Sequence, residues 1–197
     1  MKKIAMLDRD GVINKDRGYV GFKKDFVWMP GVKKTIKSLK ENGFLVIVVS
    51  NQSGVARNYF KYRDVILLHK YIQNELKKFG TKIDAFYFSP YHIDGSIKRY
   101  TKKDATRKPG IGMFLKIKKK FKVDKKNSFM IGDKKTDMIF AKKCGVKGYY
   151  FKGKNLLEFK KKKKINLAFY KYRKIFLQQT TIHIFLIIYN YLLNIFF

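Results

Sequence analysis

Residues 4–11 read IAMLDRDG, four apolar residues that stop abruptly at an acid, a base, a second acid and a glycine. So short and wholly apolar a run suits a strand buried on both faces of a parallel sheet, and it leaves Asp8 and Asp10 just past the strand's carboxyl end. The same pattern recurs downstream. Phe44 to Val49 (FLVIVV) gives way to Ser50-Asn51-Gln52-Ser53, and Ser128 to Ile131 gives way to Gly132-Asp133, with Asp137 four residues on. Ligands of open parallel sheets bind beyond the carboxyl ends of the strands, so the three polar clusters are expected to face one crevice.

Helical spacing fills the intervals. Val32, Ile36 and Leu39 recur on one face before a stop at Gly43, and Asp64 is expected to cap a helix lined by Val65, Leu68, Ile72, Leu76 and Phe79. Ile83 to Phe88 reads as a third strand. A helix with Phe114, Ile117 and Phe121 on one side follows, then the strand at 128–131, a short helix over Thr136 to Cys144 closed by Gly145, and a fifth strand over Val146 to Phe151. Strand alternating with helix predicts an α/β fold with a mainly parallel sheet.

The content of the crevice suits phosphoryl transfer. A carboxylate can attack phosphorus, but two anions repel unless a cation bridges them, which calls for an oxygen-ligated Mg²⁺ held by Asp8 and Asp133. Asp10, two residues beyond Asp8, points to the same side of an extended segment; it can protonate a leaving alkoxide and then deprotonate the attacking water. Ser50 can donate a hydrogen bond to phosphoryl oxygens, and Lys108 can neutralise their growing charge. Either acidic motif alone is a common surface pattern or helix cap. Their joint occurrence, in order and at strand ends, carries the functional reading.

The formal net charge of +32 raises the question of a polyanionic partner. The lysines are scattered through every segment instead of being gathered with Arg and aromatics into one patch, so a solvated Lys-rich surface is the expectation, with no nucleic-acid partner. The single cysteine, Cys144, excludes an internal disulfide and fits a reducing compartment. The apolar start ends at Asp8, far short of a signal-peptide core, so the N-terminus reads as part of the fold. The catalytic domain is assigned to residues 1–155. Residues 156–197 form an extension: a five-lysine run at 160–164, then, from Ile175 to Phe197, a stretch without Asp, Glu, Lys or Arg. Gln178, Gln179, Thr180, Thr181, His183, Asn190 and Asn194 interrupt that stretch. A docked amphipathic element or an aberrant terminus is favoured over a membrane-associated tail.

With these motifs in hand, the sequence resembles the haloacid dehalogenase superfamily of phosphatases and, within it, the D,D-heptose 1,7-bisphosphate phosphatases, which are related to histidinol-phosphate phosphatases. The four motifs stand here as LDRDGVIN (Leu7 to Asn14), VSNQSGVAR (Val49 to Arg57), RKPGIGM (Arg107 to Met113) and IGDKKTDM (Ile131 to Met138). The resemblance covers about residues 3–155. It implies a Rossmann-like three-layer domain without a large cap, with Asp8 as nucleophile and Asp10 as acid/base. It further implies Mg²⁺ on Asp8, the Asp10 carbonyl and Asp133 with Asp137 supporting, and Ser50 and Lys108 on the transferring phosphate. Asp16, Arg17, Gly18, Tyr19, Asn51, Gln52, Ser53, Arg107 and Lys134 would border a small sugar phosphate, Arg107 gripping a second phosphate bidentately. The implied role is release of the 7-phosphate of heptose 1,7-bisphosphate by a cytoplasmic monomer supplying surface glycans. Histidinol phosphate is the nearest alternative substrate; a nucleic-acid end-processing phosphatase and a non-catalytic membrane-tethered binding protein are the rivals of another class.

One departure stands out. Relatives often carry a zinc-stapled loop of Cys, His and two further Cys, and the matching positions here are Ser89, Tyr91, Asp104 and Thr106. His92, Asp94 and Asp104 make at best a weak site, so zinc is expected to be absent. The loop is then ordered by packing of Tyr91 and Tyr100, or mobile.

Overall fold

The apolar runs become β1 (Ile4–Leu7), β2 (Leu45–Asn51), β3 (Ala85–Ser89), β4 (Phe129–Gly132) and β5 (Lys147–Tyr150) in a computed structural model that describes residues 1–165. They form one all-parallel sheet in the order β3-β2-β1-β4-β5. All four residues of central β1 are buried, whereas edge β5 is largely exposed, as burial on both faces of only the inner strands requires.

Among the described residues five α-helices connect and flank the strands: α1 (Val32–Glu41), α2 (Tyr62–Lys78), α3 (Gly112–Lys120), α4 (Lys135–Cys144) and α5 (Leu156–Lys162). The chain runs outward from β1 to β3 and then from β4 to β5 on the other side. Right-handed crossovers therefore put α1 and α2 on one face and α3 and α4 on the other. On the second face Met113, Phe114 and Ile117 of α3 and Phe140, Ala141 and Cys144 of α4 close over Ile4, Met6, Ile47, Val49 and Met130. Each large side chain so buried contributes roughly 1.5–3 kcal/mol.

Local sequence signals mostly land where expected. Gly43 and Gly145 end α1 and α4 in left-handed conformation (φ +77° and +70°). Asp64 differs: it sits at the third position of α2, not at the cap, and its carboxylate reaches back to accept from the Lys61 N–H at 2.7 Å. Beyond β5 the chain continues into α5, whose Leu156 is buried and donates its N–H to Pro30 O at 2.9 Å. No described helix is long and apolar enough to cross a membrane. The uncharged stretch 175–197 lies outside the described residues.

Candidate active site

β1, β2 and β4 deliver their polar clusters to the same edge of the sheet. Asp8 follows β1, its N–H donating to Ile131 O of β4 at 3.0 Å, and its buried carboxylate accepts from the Arg9 N–H at 2.7 Å. Lys108, on the loop before α3, reaches into the same place. Its Nζ lies 3.1 Å from Asp8 Oδ1 and 2.6 Å from Asp137 Oδ1, and donates to Val49 O at 2.8 Å, so three acceptors surround a fully buried ammonium. Burial alone would lower the Lys108 pKa; the Asp8 and Asp137 carboxylates outweigh it and hold the pKa raised. Asn51 fixes the lysine's backbone, accepting from Lys108 N–H at 2.9 Å and donating to Lys108 O at 3.0 Å.

Asp10 points elsewhere. Its Oδ1 accepts from Asn14 Nδ2 (2.8 Å) and Arg9 Nη2 (3.1 Å), and its Oδ2 from Gln52 Nε2 (2.8 Å) and Arg9 Nη2 (3.0 Å). Gln52 also donates to Ser50 Oγ at 2.8 Å, joining the ends of β1 and β2. Expected as a substrate contact, Gln52 is buried and its amide is committed to Asp10, Arg9 and Ser50, while the Asn51 amide is committed to Lys108.

A cavity of about 270 Å³ opens beside this cluster, lined by Asp10, Asp16, Gly18, Tyr19, Asn51, Gln52, Ser53, Gly54 and Lys134. Across it Lys134 Nζ pairs with Asp16 Oδ2 at 3.0 Å, and Tyr19, in left-handed conformation, packs edge-on against Tyr59 at 4.6 Å. Arg17 is exposed on the same loop. Arg107 is half-buried and donates to Tyr91 O at 3.2 Å; neither arginine lines that cavity.

The loop between β3 and α3 is organised by hydrogen bonds as well as rings. Thr106 Oγ1 donates to Asp104 Oδ1 (2.5 Å) and lies 3.1 Å from Ser89 Oγ, joining three of the four positions that the family resemblance matches to zinc ligands. Tyr91, the fourth, packs against Tyr100 at 6.0 Å. His92 is turned to Arg57 Nη2 (3.3 Å) and the Asp94 N–H (3.0 Å).

The acidic residues fit a magnesium ion. Asp8, Asp133 and Asp137 offer carboxylate oxygens all within 4.8 Å of one another. Asp133 Oδ1 is buried with no hydrogen-bond partner among the described residues, which a cation would supply. Gly11 makes room for this: a Cβ there would stand 2.1 Å from Asp133 Oδ2, and its φ of +83° is left-handed. Asp137 is more committed, its Oδ1 to Lys108 and its Oδ2 accepting the Lys134 N–H at 3.0 Å. Asp10's carboxylate is not in the cluster.

Burial, opposed by Lys108 and reinforced by Asp137 and Asp10, pushes the metal-free Asp8 carboxyl up to about 7. Magnesium needs the carboxylate. As pH falls through about 7, Asp8 must shed a proton to bind, so apparent affinity is expected to fall by about tenfold per pH unit below it. Calorimetric titration of Mg²⁺ at pH 6 and pH 8 checks this; equal affinities would contradict it.

Three residues here were not singled out from the sequence: Arg9, Asn14 and Arg57. Arg9 and Asn14 lie inside the first motif, where one base beside two acids was the available signal. Arg57 neighbours Arg107 closely enough that, after burial, its charge is the next cause lowering the Arg107 pKa.

A sequence model of the family described as polynucleotide kinase 3 phosphatase matches residues 3–164. The D-glycero-beta-D-manno-heptose-1,7-bisphosphate 7-phosphatase of Rhodopseudomonas palustris is 42% identical over 152 residues, covering 77% of this chain and 84% of that one. Among solved structures, one from Mesorhizobium loti assigned to the HAD-like phosphatases superposes with a TM-score of 0.72 at 31% identity, covering 77% of this chain and 73% of the other. The D,D-heptose 1,7-bisphosphate phosphatase of B. bronchiseptica, complexed with magnesium and phosphate, gives 0.68 at 28% identity, with 80% and 84% covered. With its five-stranded sheet, its aspartates at the strand ends and this likeness along most of its length, the chain belongs to the heptose-bisphosphate phosphatase family of haloacid dehalogenase-like phosphatases.

Proposed function

We propose that this protein releases the 7-phosphate of D-glycero-D-manno-heptose 1,7-bisphosphate through a phospho-aspartyl intermediate on Asp8. The observation that carries the reading is the meeting of Asp8, Lys108, Asp133 and Asp137 at one buried point beside a polar, sugar-sized cavity. In this reading an Asp8 oxygen bonds to phosphorus as the bond from phosphorus to the sugar oxygen breaks, and Asp10 gives its proton to that oxygen. Water then attacks phosphorus and yields its proton to Asp10; the Asp8–phosphorus bond breaks and inorganic phosphate leaves. Lys108 and the Ser50 hydroxyl stabilise charge on the transferring oxygens. Asp8, Asp133 and the Asp10 carbonyl, with Asp137 behind them, would hold a magnesium ion, which when bound would supply the positive charge that lets nucleophile and substrate approach.

Asp16, Gly18, Tyr19, Asn51 to Ser53 and Lys134 border the sugar, and the Arg107 guanidinium takes the 1-phosphate. The chemistry lies within residues 1–155 of a cytoplasmic monomer without nucleic-acid partner or structural zinc, and its product feeds lipopolysaccharide-type glycans. Phosphate release compared across heptose 1,7-bisphosphate, histidinol phosphate and a 3′-phosphorylated oligonucleotide tests the reading. The bisphosphate is expected to have the highest kcat/KM and to leave heptose 1-phosphate. The oligonucleotide arm matters because the matching family description and the +32 charge both favour nucleic-acid end processing as a second reading. Preference for the oligonucleotide would replace the first reading with the second.

Because the loop 89–108 presents Arg107, Thr106→Val removes a hydroxyl that joins Asp104 to Ser89. Losing one such bond costs about 1 kcal/mol, or about fivefold, and is expected in KM with kcat unchanged. An equal fall in kcat would show that the loop serves the chemistry directly.

A further inference from the structure

We propose that Arg9, the residue between the two acids of the first motif, is the positioning residue that sets both carboxylates, holding Asp8 through its backbone and aiming Asp10 through its guanidinium. The inference rests on reading Asp10 as the acid/base.

Arg9 is fully buried, with 0% exposure, and is the foremost of the large side chains hidden in this way. Arginine is almost never so placed unless its charge is matched. Its match is Asp10: Nε lies 3.3 Å from Oδ1, and Nη2 lies 3.1 Å from Oδ1 and 3.0 Å from Oδ2. Nη2 also faces Gln52 Oε1 at 2.8 Å and Val20 O, which tie the guanidinium to β2's polar end and to the loop after the motif. The same residue's N–H donates to Asp8 Oδ1.

The consequence for Asp10 is geometric. Oδ1 is approached by Nε and Nη2 of Arg9 and by Asn14 Nδ2, and Oδ2 by Nη2 of Arg9 and Gln52 Nε2. Turning the carboxylate breaks at least two of these bonds, so a residue that lines the cavity is held in a single orientation. Proton transfer depends on such orientation, since small misplacements of an acid/base are costly in rate. A planar guanidinium suits this task where an ammonium does not, because its nitrogens are fixed relative to each other. His69 stacks on Phe86 at 4.5 Å, and burial, reinforced by Arg9 itself, pushes its pKa down to about 3, so the ring is neutral.

A merely structural ion pair and a positioning residue differ in which substrates they affect. Leaving-group release in the first turnover is measured for a sugar phosphate, whose alkoxide needs a proton, and for 4-nitrophenyl phosphate, whose phenolate does not. Asp10→Asn provides the reference and is expected to lose far more on the sugar phosphate. Arg9→Met is expected to show the same selective loss, about 10- to 100-fold on the sugar phosphate and little on the aryl ester. Combined with Asp10→Asn it should add nothing, because both changes remove one function. Arg9→Lys keeps the buried charge without the fork and should restore part of the loss; it carries the comparison if Arg9→Met does not fold, as thermal unfolding would show. Equal losses on both substrates, or a double variant whose losses multiply, would reduce Arg9 to a structural ion pair. If Asp10→Asn shows no selectivity, the acid/base reading fails first and takes this inference with it.

Discussion

Asp8→Asn is expected to abolish turnover, lowering kcat by about 10⁴-fold or more, the scale on which removal of a covalent nucleophile acts. The amide cannot form the acyl phosphate and is a poorer magnesium ligand, so chemistry and metal binding fail together. The fold is expected to survive. Asp8 is buried and its carboxyl is pushed up to about 7, so a neutral isostere removes a charge that burial disfavours, while Asp137 remains to pair Lys108 at 2.6 Å. Circular dichroism and thermal unfolding alongside the assay separate the two effects. Substantial residual phosphatase activity in a folded Asp8→Asn protein would sink the covalent mechanism.

Lys108→Met should harm both activity and stability. The ammonium is the buried cation that Asp8 and Asp137 share, and without it two carboxylates face each other. Breaking a buried ion pair from one side costs about 3–5 kcal/mol, and losing a preorganised charge beside the transferring phosphate costs about 10²- to 10³-fold in kcat. The sign with pH follows from the raised pKa. Lys108's contribution is whole at neutral pH and is lost only as pH climbs above its unfolded value of 10.5 and through the higher folded one, so the destabilisation should be plain at pH 7. Denaturant unfolding of the metal-free proteins at pH 7 measures it. A variant as stable as the parent would mean that the two aspartates protonate at little cost.

The strands and helices were legible because each is a short apolar run or a 3.6-residue stripe bounded by glycine, acid or polar residues. The strand-end rule placed Asp8, Ser50 and Asp133 together before any fold was seen, since parallel topology alone brings carboxyl ends to one edge. What sequence could not convey was where each polar side chain spends its hydrogen bonds. Asn51 and Gln52 follow a strand into the crevice and read as substrate contacts, yet their amides are occupied by Lys108 and by Asp10 with Arg9. Those pairings span 42 to 57 residues of chain and have no local signature. Arg9 was hard to read for a related reason: a base between two acids has no local mark of burial, and its partners beyond the motif, Val20 O and Gln52 Oε1, come from two separate loops. The loop 89–108 is similar, because Ser89 and Thr106 gain meaning as partners only when the ends of the loop are 3.1 Å apart.

The most direct test of the account is to follow the 7-phosphate itself. Heptose 1,7-bisphosphate labelled at that phosphate is mixed with the enzyme and magnesium, quenched in acid within the first turnover, and the protein is digested and mapped. Transfer of the label to the peptide containing Asp8, in a bond that survives acid and is cleaved by hydroxylamine, is the predicted result. Label released to solvent with none passing through Asp8, or label retained on the sugar while the 1-phosphate is lost, would contradict it.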